Sequence, residues 1–125
     1  MDLTGGMVKI DSFNFGFIVV DGKQYVCDVL ILPDGTVTKR EPSERRLGSH
    51  TISRSEIEDL YRARPDVILV GCGTRWLARL SEDAEAYLQE ADLNPVILPS
   101  SLAVKTFNQL VGEGKRVAAL IHVTC

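Results

Sequence analysis

Apolar and polar positions alternate along the first third of the chain, as they do in β-strands with one buried face. Over residues 13–20 the alternation places the aromatic side chains on one face of a strand, namely those of Phe13, Phe15 and Phe17. Two turn signals divide the residues after this strand into further strands: Asp21-Gly22 and Pro33-Asp34-Gly35. Residues 7–40 therefore predict an antiparallel meander of three strands, the second of them over 23–32.

A helix is predicted to begin at Ser53, after a polar loop. Ser53 and Glu56 have the spacing of a capping box, in which each side chain bonds to the backbone N–H of the other residue. Ile52 and Ile57 have the spacing of a hydrophobic staple. The helix is predicted to end before Pro65, because proline disfavours helical geometry in the residue that precedes it.

Short apolar runs and amphipathic stretches alternate in the remainder. Strands are predicted at 66–70, 96–98 and 117–124. Helices are predicted to follow caps at Ser81 and at Ser100 or Ser101. This order predicts parallel strands joined by right-handed crossovers, and runs that are apolar on both faces are typical of a sheet covered on both sides.

These elements predict a three-layer α/β fold with a mixed central sheet and about three helices. Its parts are an antiparallel β-meander at 7–40, a basic loop with the first helix at 41–64, and a βαβαβ unit at 66–125. Because no linker, repeat or low-complexity tract separates them, residues 1–125 predict a single domain.

The composition is that of an ordinary globular protein, with 45% apolar and 25% charged residues. A formal net charge of -3 gives no general attraction to nucleic acid or to anionic membranes. Three widely spaced cysteines do not indicate a disulfide framework, and the N-terminal stretch Met1–Gly6 does not have the pattern of a signal peptide. We therefore expect a cytoplasmic location, no membrane span and no nucleic-acid partner.

Several segments together resemble a known family. They are Asp28, the stretch 45–50 (RRLGSH), the stretch 66–73 (DVILVGCG), Leu98-Pro99-Ser100, Asn108-Gln109-Leu110 and the tail 116–125. In order and spacing they are similar to the small domain-of-unknown-function family that includes the adipogenesis-associated protein and a mitochondrial complex I assembly factor. The resemblance covers nearly the whole chain. It implies a three-layer α/β fold, no established catalytic activity and, for some members, a role in assembling a respiratory complex.

The chain departs from this family at two positions. Gly71-Cys72-Gly73 stands where the family usually has Gly-Thr-Gly, and Leu102 stands where relatives often have an acid. A required thiol nucleophile at Cys72 is therefore not expected, and any function of an acid at position 102 is absent here.

The first candidate site is a crevice at the carboxyl ends of two predicted strands, where open α/β sheets bind ligands. Glycines let a backbone approach an anion, Arg75 could pair with that anion, and the next helix offers free N–H groups. The candidate residues are Gly71, Cys72, Gly73, Thr74, Arg75, Ser100, Ser101 and Lys105. The alternative interpretation is a pair of tight turns that leave buried strands, and the dinucleotide fingerprint is incomplete because Trp76 replaces a glycine.

Asp28 lies inside an apolar run, so its carboxylate needs a charged or hydrogen-bonding partner. The sequence leaves two partners open, an arginine of the 40–46 loop or backbone N–H groups. A strand-to-loop anchor is the favoured interpretation and a general acid or base the alternative.

A possible partner surface is formed by Arg40, Arg45, Arg46 and His50, although Glu41 and Glu44 interrupt it. No metal is predicted, because His122 and Cys125 point to opposite faces of a strand. No cofactor is predicted either.

The sequence supports two functional classes. The favoured one is a non-catalytic interaction or assembly module with a protein partner, since no nucleophile, base and orienting group are arranged in the sequence. The alternative is a small-molecule enzyme or sensor that binds an anionic ligand at Gly71–Arg75 and the N-terminus of the Ser100 helix.

Overall fold

The computed structural model of the chain describes residues 8–40, 51–73 and 78–124. Within these ranges it has three helices, α1 (Arg54–Arg62), α2 (Glu82–Glu90) and α3 (Ser100–Gly112). The strands of the N-terminal half are β1 (Ile10–Asn14), β2 (Phe17–Val20), β3 (Lys23–Tyr25), β4 (Val29–Ile31), β5 (Val37–Lys39) and β6 (Thr51–Ile52). Those of the C-terminal half are β7 (Val67–Gly71), β8 (Arg79–Leu80), β9 (Val96–Leu98) and β10 (Val117–Ile121).

The central sheet has five strands in the order β5-β4-β10-β7-β9. Strand β10 is parallel to β7 and antiparallel to β4, and β7 is parallel to β9. The predicted three-layer α/β fold with a mixed sheet and three helices is therefore confirmed. The three runs predicted as parallel strands of the C-terminal unit lie side by side in this one sheet.

The N-terminal strands differ in detail from the predicted meander. The single strand predicted over 13–20 is a hairpin of β1 and β2, because Gly16 adopts φ +94° and turns the chain. The N–H of Gly16 donates to the carbonyl of Val123 at 2.7 Å. The aromatic positions do not form the buried face: Phe15 is 60% exposed, whereas Ile18 and Val20 are buried.

The strand predicted over 23–32 is also divided. Strand β3 completes a three-stranded sheet with β1 and β2, and β4 joins the central sheet beside β10. Tyr25 of β3 and Val29 and Ile31 of β4 are all buried, so buried side chains keep a spacing of two residues or a multiple of two although the strands belong to different sheets. Because the alternation continues without interruption, the sequence pattern does not reveal that β3 and β4 are separate strands.

Apolar residues form one core on each side of the central sheet. One core contains α3 residues such as Phe107 together with the three-stranded sheet, and the other contains α1 and α2. Strand β10 contributes side chains to both cores. Ala119 and Ile121 belong to the first core, and Ala118 and Leu120 belong to the second. The three layers are thus α1 and α2, the central sheet, and α3 with the three-stranded sheet.

Local signals set the helix ends. Ser53 and Glu56 form the predicted capping box, and the side chain of Ser81 caps α2 as predicted. The cap predicted for α3 is wrong: Pro99 is the N-cap residue and makes no side-chain cap bond. The hydroxyl of Ser100 is instead used in a tertiary contact. Strands β6 and β8, which the sequence did not predict, form a small parallel pair.

The chain order of the strands reverses between β7 and β10. From β7 the chain runs through α2 to β9 on one side, and from β9 through α3 to β10 on the other. The carboxyl ends of β7 and β10 therefore form the position at which open α/β sheets bind ligands. In the described part of the chain no helix is both long and apolar enough to cross a membrane.

Candidate functional site

A row of four side chains crosses the central sheet where β7 and β10 end. Ile121 pairs with Val29 of β4 and with Gly71 of β7, so the next residue, His122, stands between Asp28 and Cys72. Arg40 lies beyond Asp28, and its N–H donates to the Asp28 carbonyl at 2.9 Å. The row is therefore Arg40, Asp28, His122 and Cys72.

Asp28 is the centre of this row. Its Oδ2 lies 2.6 Å from His122 Nδ1 and 2.9 Å from Arg40 Nη1, and its Oδ1 accepts from the Val123 N–H at 2.9 Å. Asp28 thus uses both kinds of partner that the sequence left open, an arginine and a backbone N–H group. The histidine is a third partner that the sequence pattern did not identify.

These contacts determine the ionisation of Asp28. Burial by itself raises the pKa of the carboxyl group, but the hydrogen bonds from His122, Val123 and Arg40 and the charge of His122 outweigh it. The pKa of Asp28 is therefore lower than its ordinary value. An ionised carboxylate only accepts hydrogen bonds, so His122 Nδ1 carries the hydrogen of the 2.6 Å contact.

Arg40 connects this row to helix α1. Its Nε donates to Glu56 Oε2 at 2.5 Å and its Nη2 to Glu56 Oε1 at 3.0 Å, a bidentate pair. Burial lowers the pKa of Arg40, but the hydrogen bond and charge of Glu56, followed by those of Asp28, raise it above its ordinary value. Glu56 also accepts from the Ser53 N–H, so the capping box of α1 is part of the same network.

His122 is 1% exposed, and its Nε2 lies 3.2 Å from Thr124 Oγ1. An acid, an imidazole and a hydroxyl in series resemble a proton relay, but a general base must reach its substrate. Because His122 is buried, a substrate cannot contact its imidazole directly. In the described part of the chain every buried side-chain nitrogen and oxygen has a hydrogen-bond partner. The arrangement therefore joins β4, β5, β10 and α1 structurally.

The glycine loop and α3 meet, as the sequence pattern predicted. The Gly73 N–H donates to Ser100 Oγ at 2.8 Å, and the Ser100 N–H donates to the Gly73 carbonyl at 3.1 Å. Ser100 Oγ also donates to the His122 carbonyl at 2.5 Å and is fully buried. Gly71 is closely packed here, because an added Cβ would lie 3.0 Å from Ser100 Oγ and would force its neighbours to shift.

Cys72 is buried, and its thiol donates to the Leu98 carbonyl at 3.1 Å. Burial raises the pKa of this thiol, although a backbone hydrogen bond partly opposes the rise. A raised pKa disfavours the reactive thiolate. Cys72 therefore acts as a small core side chain in this environment.

The other candidate residues have different positions. Ser101 and Lys105 are exposed on α3. The remaining ones lie outside the described residues: Thr74, Arg75, Arg45, Arg46 and His50. The anion crevice and the surface formed by Arg45, Arg46 and His50 therefore stay predictions. Arg40 does not contribute to such a surface, because its side chain is 8% exposed and is paired with Asp28 and Glu56. Within the described ranges, no group of three or more His, Cys, Asp or Glu side chains could hold a metal ion.

A cleft of about 710 Å³ lies between α2 and the strands β7 and β9. Its lining includes the apolar side chains of Val70, Cys72, Leu88 and Ile97. Polar groups also line it, among them Glu85, Asp92 and Arg79. We refer to this cavity as the α2–β9 cleft.

Strand β9 forms one edge of the central sheet and exposes apolar side chains. Val96 and Ile97 are each 38% exposed, and Leu102, in the first turn of α3, is 47% exposed. We refer to these three residues as the β9 rim. Phe15 and Val26 are the other large apolar side chains exposed in the described part of the chain, and they belong to the N-terminal segment.

Sequence reasoning missed two members of the buried network, His122 and Glu56. His122 stands within an apolar run of the sequence, which is the same signal that identified Asp28. Two polar residues in separate apolar runs are candidates for a mutual contact. Glu56 was assigned only to its capping box, and nothing in the local pattern indicates its second contact with Arg40.

Comparison with known proteins gives a consistent result. Residues 10–122 match a family described as protein of unknown function, DUF498/DUF598. The solved structure of MT938 is 30% identical, with a TM-score of 0.80 over 94% of this chain and 99% of that one. Conserved hypothetical protein PH1505 from Pyrococcus horikoshii OT3 is 32% identical, with a TM-score of 0.81 and the same coverage of 94% and 99%. XCC1710 from Xanthomonas campestris is 21% identical, with a TM-score of 0.76 over 98% of this chain and 89% of that one, and shares the fold.

Proposed function

The chain belongs to the DUF498/DUF598 family of proteins of unknown function, and we propose that it is a non-catalytic protein-interaction module whose docking surface is the β9 rim. The observation that carries this proposal is the exposure of two large apolar side chains on the edge strand β9, Val96 and Ile97, and of a third, Leu102, in the first turn of the helix that follows it. Exposed apolar groups beside an unpaired strand edge are typical of protein-binding surfaces. An assembly role would use this surface to hold a partner during complex formation.

The composition of the β9 edge supports the proposal. Proteins commonly protect edge strands with charged side chains, especially lysine. The segment from Leu93 to Pro99 contains no charged residue. The uncharged edge therefore leaves its apolar side chains available to a partner, while Pro95 and Pro99 limit pairing with another strand.

The direction of the backbone favours recognition through side chains. Leu98 directs its carbonyl towards β7, where it accepts from the Cys72 N–H at 2.9 Å, so alternate residues of β9 face the open edge. These are Pro95, Ile97 and Pro99, and the two prolines carry no N–H group. Between 95 and 99 a single N–H, that of Ile97, faces outward. Addition of a partner strand needs a series of such donors, so docking by side chains is favoured.

The network and the glycine loop give less support to an enzyme or sensor. Gly73 and Ser100 use their hydrogen-bonding groups on each other, and His122 is buried. The raised pKa of Cys72 disfavours covalent catalysis at the thiol. An interaction module working in the cytoplasm also agrees with the free thiols of Cys27 and Cys72, which a reducing compartment preserves.

Site-specific photo-crosslinking in the native cells tests this proposal. Val96 or Leu102 is replaced with benzoylphenylalanine, and Thr38 on the opposite edge strand, β5, is replaced in a control protein. We expect irradiation to give discrete protein adducts from positions 96 and 102 and none from position 38. The same adducts at all three positions, or no protein adduct at 96 and 102, would overturn the proposal.

A further inference from the structure

The α2–β9 cleft adjoins the proposed docking surface, because Ile97 belongs to both. We propose that this cleft receives an apolar side chain from a partner segment in which lysine or arginine flanks that side chain. This inference rests on the proposed interaction function and names the chemistry of the partner. Three observations carry it: the apolar lining, the acidic wall and the orientation of α2.

The apolar lining fits an anchoring side chain. Val70 and Cys72 of the β7 end, Leu88 of α2 and Ile97 of β9 all contribute to it. The volume of about 710 Å³ is that of a small-molecule pocket, for which roughly 300–1,000 Å³ is usual, so the cleft has room for an anchoring side chain together with its flanking residues. Interfaces derive much of their affinity from a few apolar anchors placed in such pockets.

The wall formed by α2 and the turn after it is negatively charged. The acids of this segment are Glu82, Asp83, Glu85, Glu90 and Asp92, and the segment from 81 to 95 contains no lysine or arginine. Glu85 and Asp92 line the cleft directly, and Arg79 is the basic side chain among its described lining residues. Among the described lining residues two acids face one base, so the balance of their charges favours a cation.

The position of the α2 C-terminus adds to this potential. Gln89 and the residues just after the helix, Asp92 to Asn94, line the cleft, so the C-terminal end of α2 lies beside it. The carbonyl groups at a helix C-terminus carry partial negative charge. The last turn of α2 contains no basic residue to neutralise that charge. A lysine or arginine beside the anchoring side chain would supply the missing positive charge.

Fluorescence anisotropy with short labelled peptides tests this inference. The probe is a capped hexapeptide, Lys-Lys-Leu-Phe-Lys-Lys, and its counterpart has glutamate in place of every lysine. We expect the basic peptide to bind, the acidic one to bind at least tenfold more weakly, and added salt to weaken the basic complex. Equal affinity for the two peptides, or no binding of the basic one, would overturn the inference.

Two matched double variants locate the charge effect. Glu85→Gln with Asp92→Asn removes two charges that line the cleft, and asparagine tolerates the positive φ of +54° at position 92. Glu82→Gln with Glu90→Gln removes two charges from the same helix outside the cleft lining. We expect the first pair to weaken binding roughly two- to tenfold, and the second pair to change it less than twofold. Equal losses from both pairs would indicate general charge attraction and contradict a specific site.

Two exposed apolar residues locate the apolar contact. Ile97 lines the cleft, whereas Val26 is 74% exposed, belongs to the N-terminal segment and does not line the cleft. Ile97→Asp should lower the affinity for the basic peptide at least tenfold, and Val26→Asp should leave it within about twofold. A larger loss from Val26→Asp would overturn the inference. If the peptides do not bind but photo-crosslinking at 96 and 102 still gives discrete adducts, the inference fails and the proposed function stands.

Discussion

Asp28 and His122 lie 94 positions apart in the sequence and 2.6 Å apart in the structure, joined through Oδ2 and Nδ1 across the antiparallel pair of β4 and β10. The same carboxylate binds Arg40, which binds Glu56 of α1. This chain of contacts connects three strands of the central sheet with a helix of the outer layer.

Replacing Asp28 with asparagine is expected to lower the free energy of unfolding by about 3 kcal/mol, because Arg40 would keep a buried charge with one partner removed. Urea denaturation measures this change. The control is Asp59→Asn, which removes an ion pair on the surface: the Asp59 side chain is 54% exposed and that of Arg62 is 75% exposed. This variant should lower the free energy of unfolding by less than about 0.5 kcal/mol. Equal costs for both variants would contradict the structural role of Asp28.

The contribution of Asp28 should depend on pH in the acid range. The pKa of Asp28 in the folded state is below its ordinary value of 3.8, so the unfolded state binds more protons near that pH and stability rises with pH. The stabilisation is present above the ordinary pKa and is lost as the pH falls through the folded-state pKa. We expect the free energy of unfolding of the wild-type protein to exceed that of Asp28→Asn by more at about pH 5 than at about pH 3. Urea midpoints of both proteins at several pH values measure this, and an equal or larger difference at the lower pH would contradict it.

Ser100→Ala removes a hydroxyl that accepts from the Gly73 N–H and donates to the His122 carbonyl. Because both groups are buried, we expect the free energy of unfolding to fall by about 1–3 kcal/mol. Ser101→Ala is the matched control, since Ser101 is the next residue of α3 and is exposed. It should change stability by less than about 0.5 kcal/mol. Thermal or urea unfolding of the two variants distinguishes a buried connection from a general effect on the helix start.

Gly71→Ala should lower the stability of the protein, whereas Gly112→Ala should not. A Cβ at position 71 would lie 3.0 Å from Ser100 Oγ and 3.2 Å from Ala103 Cβ, so we expect a loss of about 1–3 kcal/mol through overpacking. At position 112, the last residue of α3, no atom lies within 4 Å of the added Cβ apart from the chain neighbours and the backbone of the helix itself. Alanine favours helix over glycine, so this variant should be neutral or more stable by up to about 1 kcal/mol. Urea unfolding checks both signs, and a destabilised Gly112→Ala with an unaffected Gly71→Ala would contradict the packing at the end of β7.

Local patterns in the sequence determined the identities of most helices and strands. The capping box of Ser53 and Glu56, the cap at Ser81 and the stop before Pro65 are formed by residues close together in the chain. Such contacts depend little on the rest of the molecule, which is why spacing alone could predict them. The alternation of strands and helices likewise predicted the parallel C-terminal unit.

Tertiary structure decided which of these elements became neighbours and which polar groups met. The sequence identified Asp28 as a residue in need of a partner, but the register of β4 against β10 selected His122. Ser100 has the sequence features of a helix cap, yet its hydroxyl bonds to Gly73 and His122, because packing of α3 on the sheet brings those groups within reach. Strand order and register result from the burial of the whole apolar surface, and no local segment contains that information.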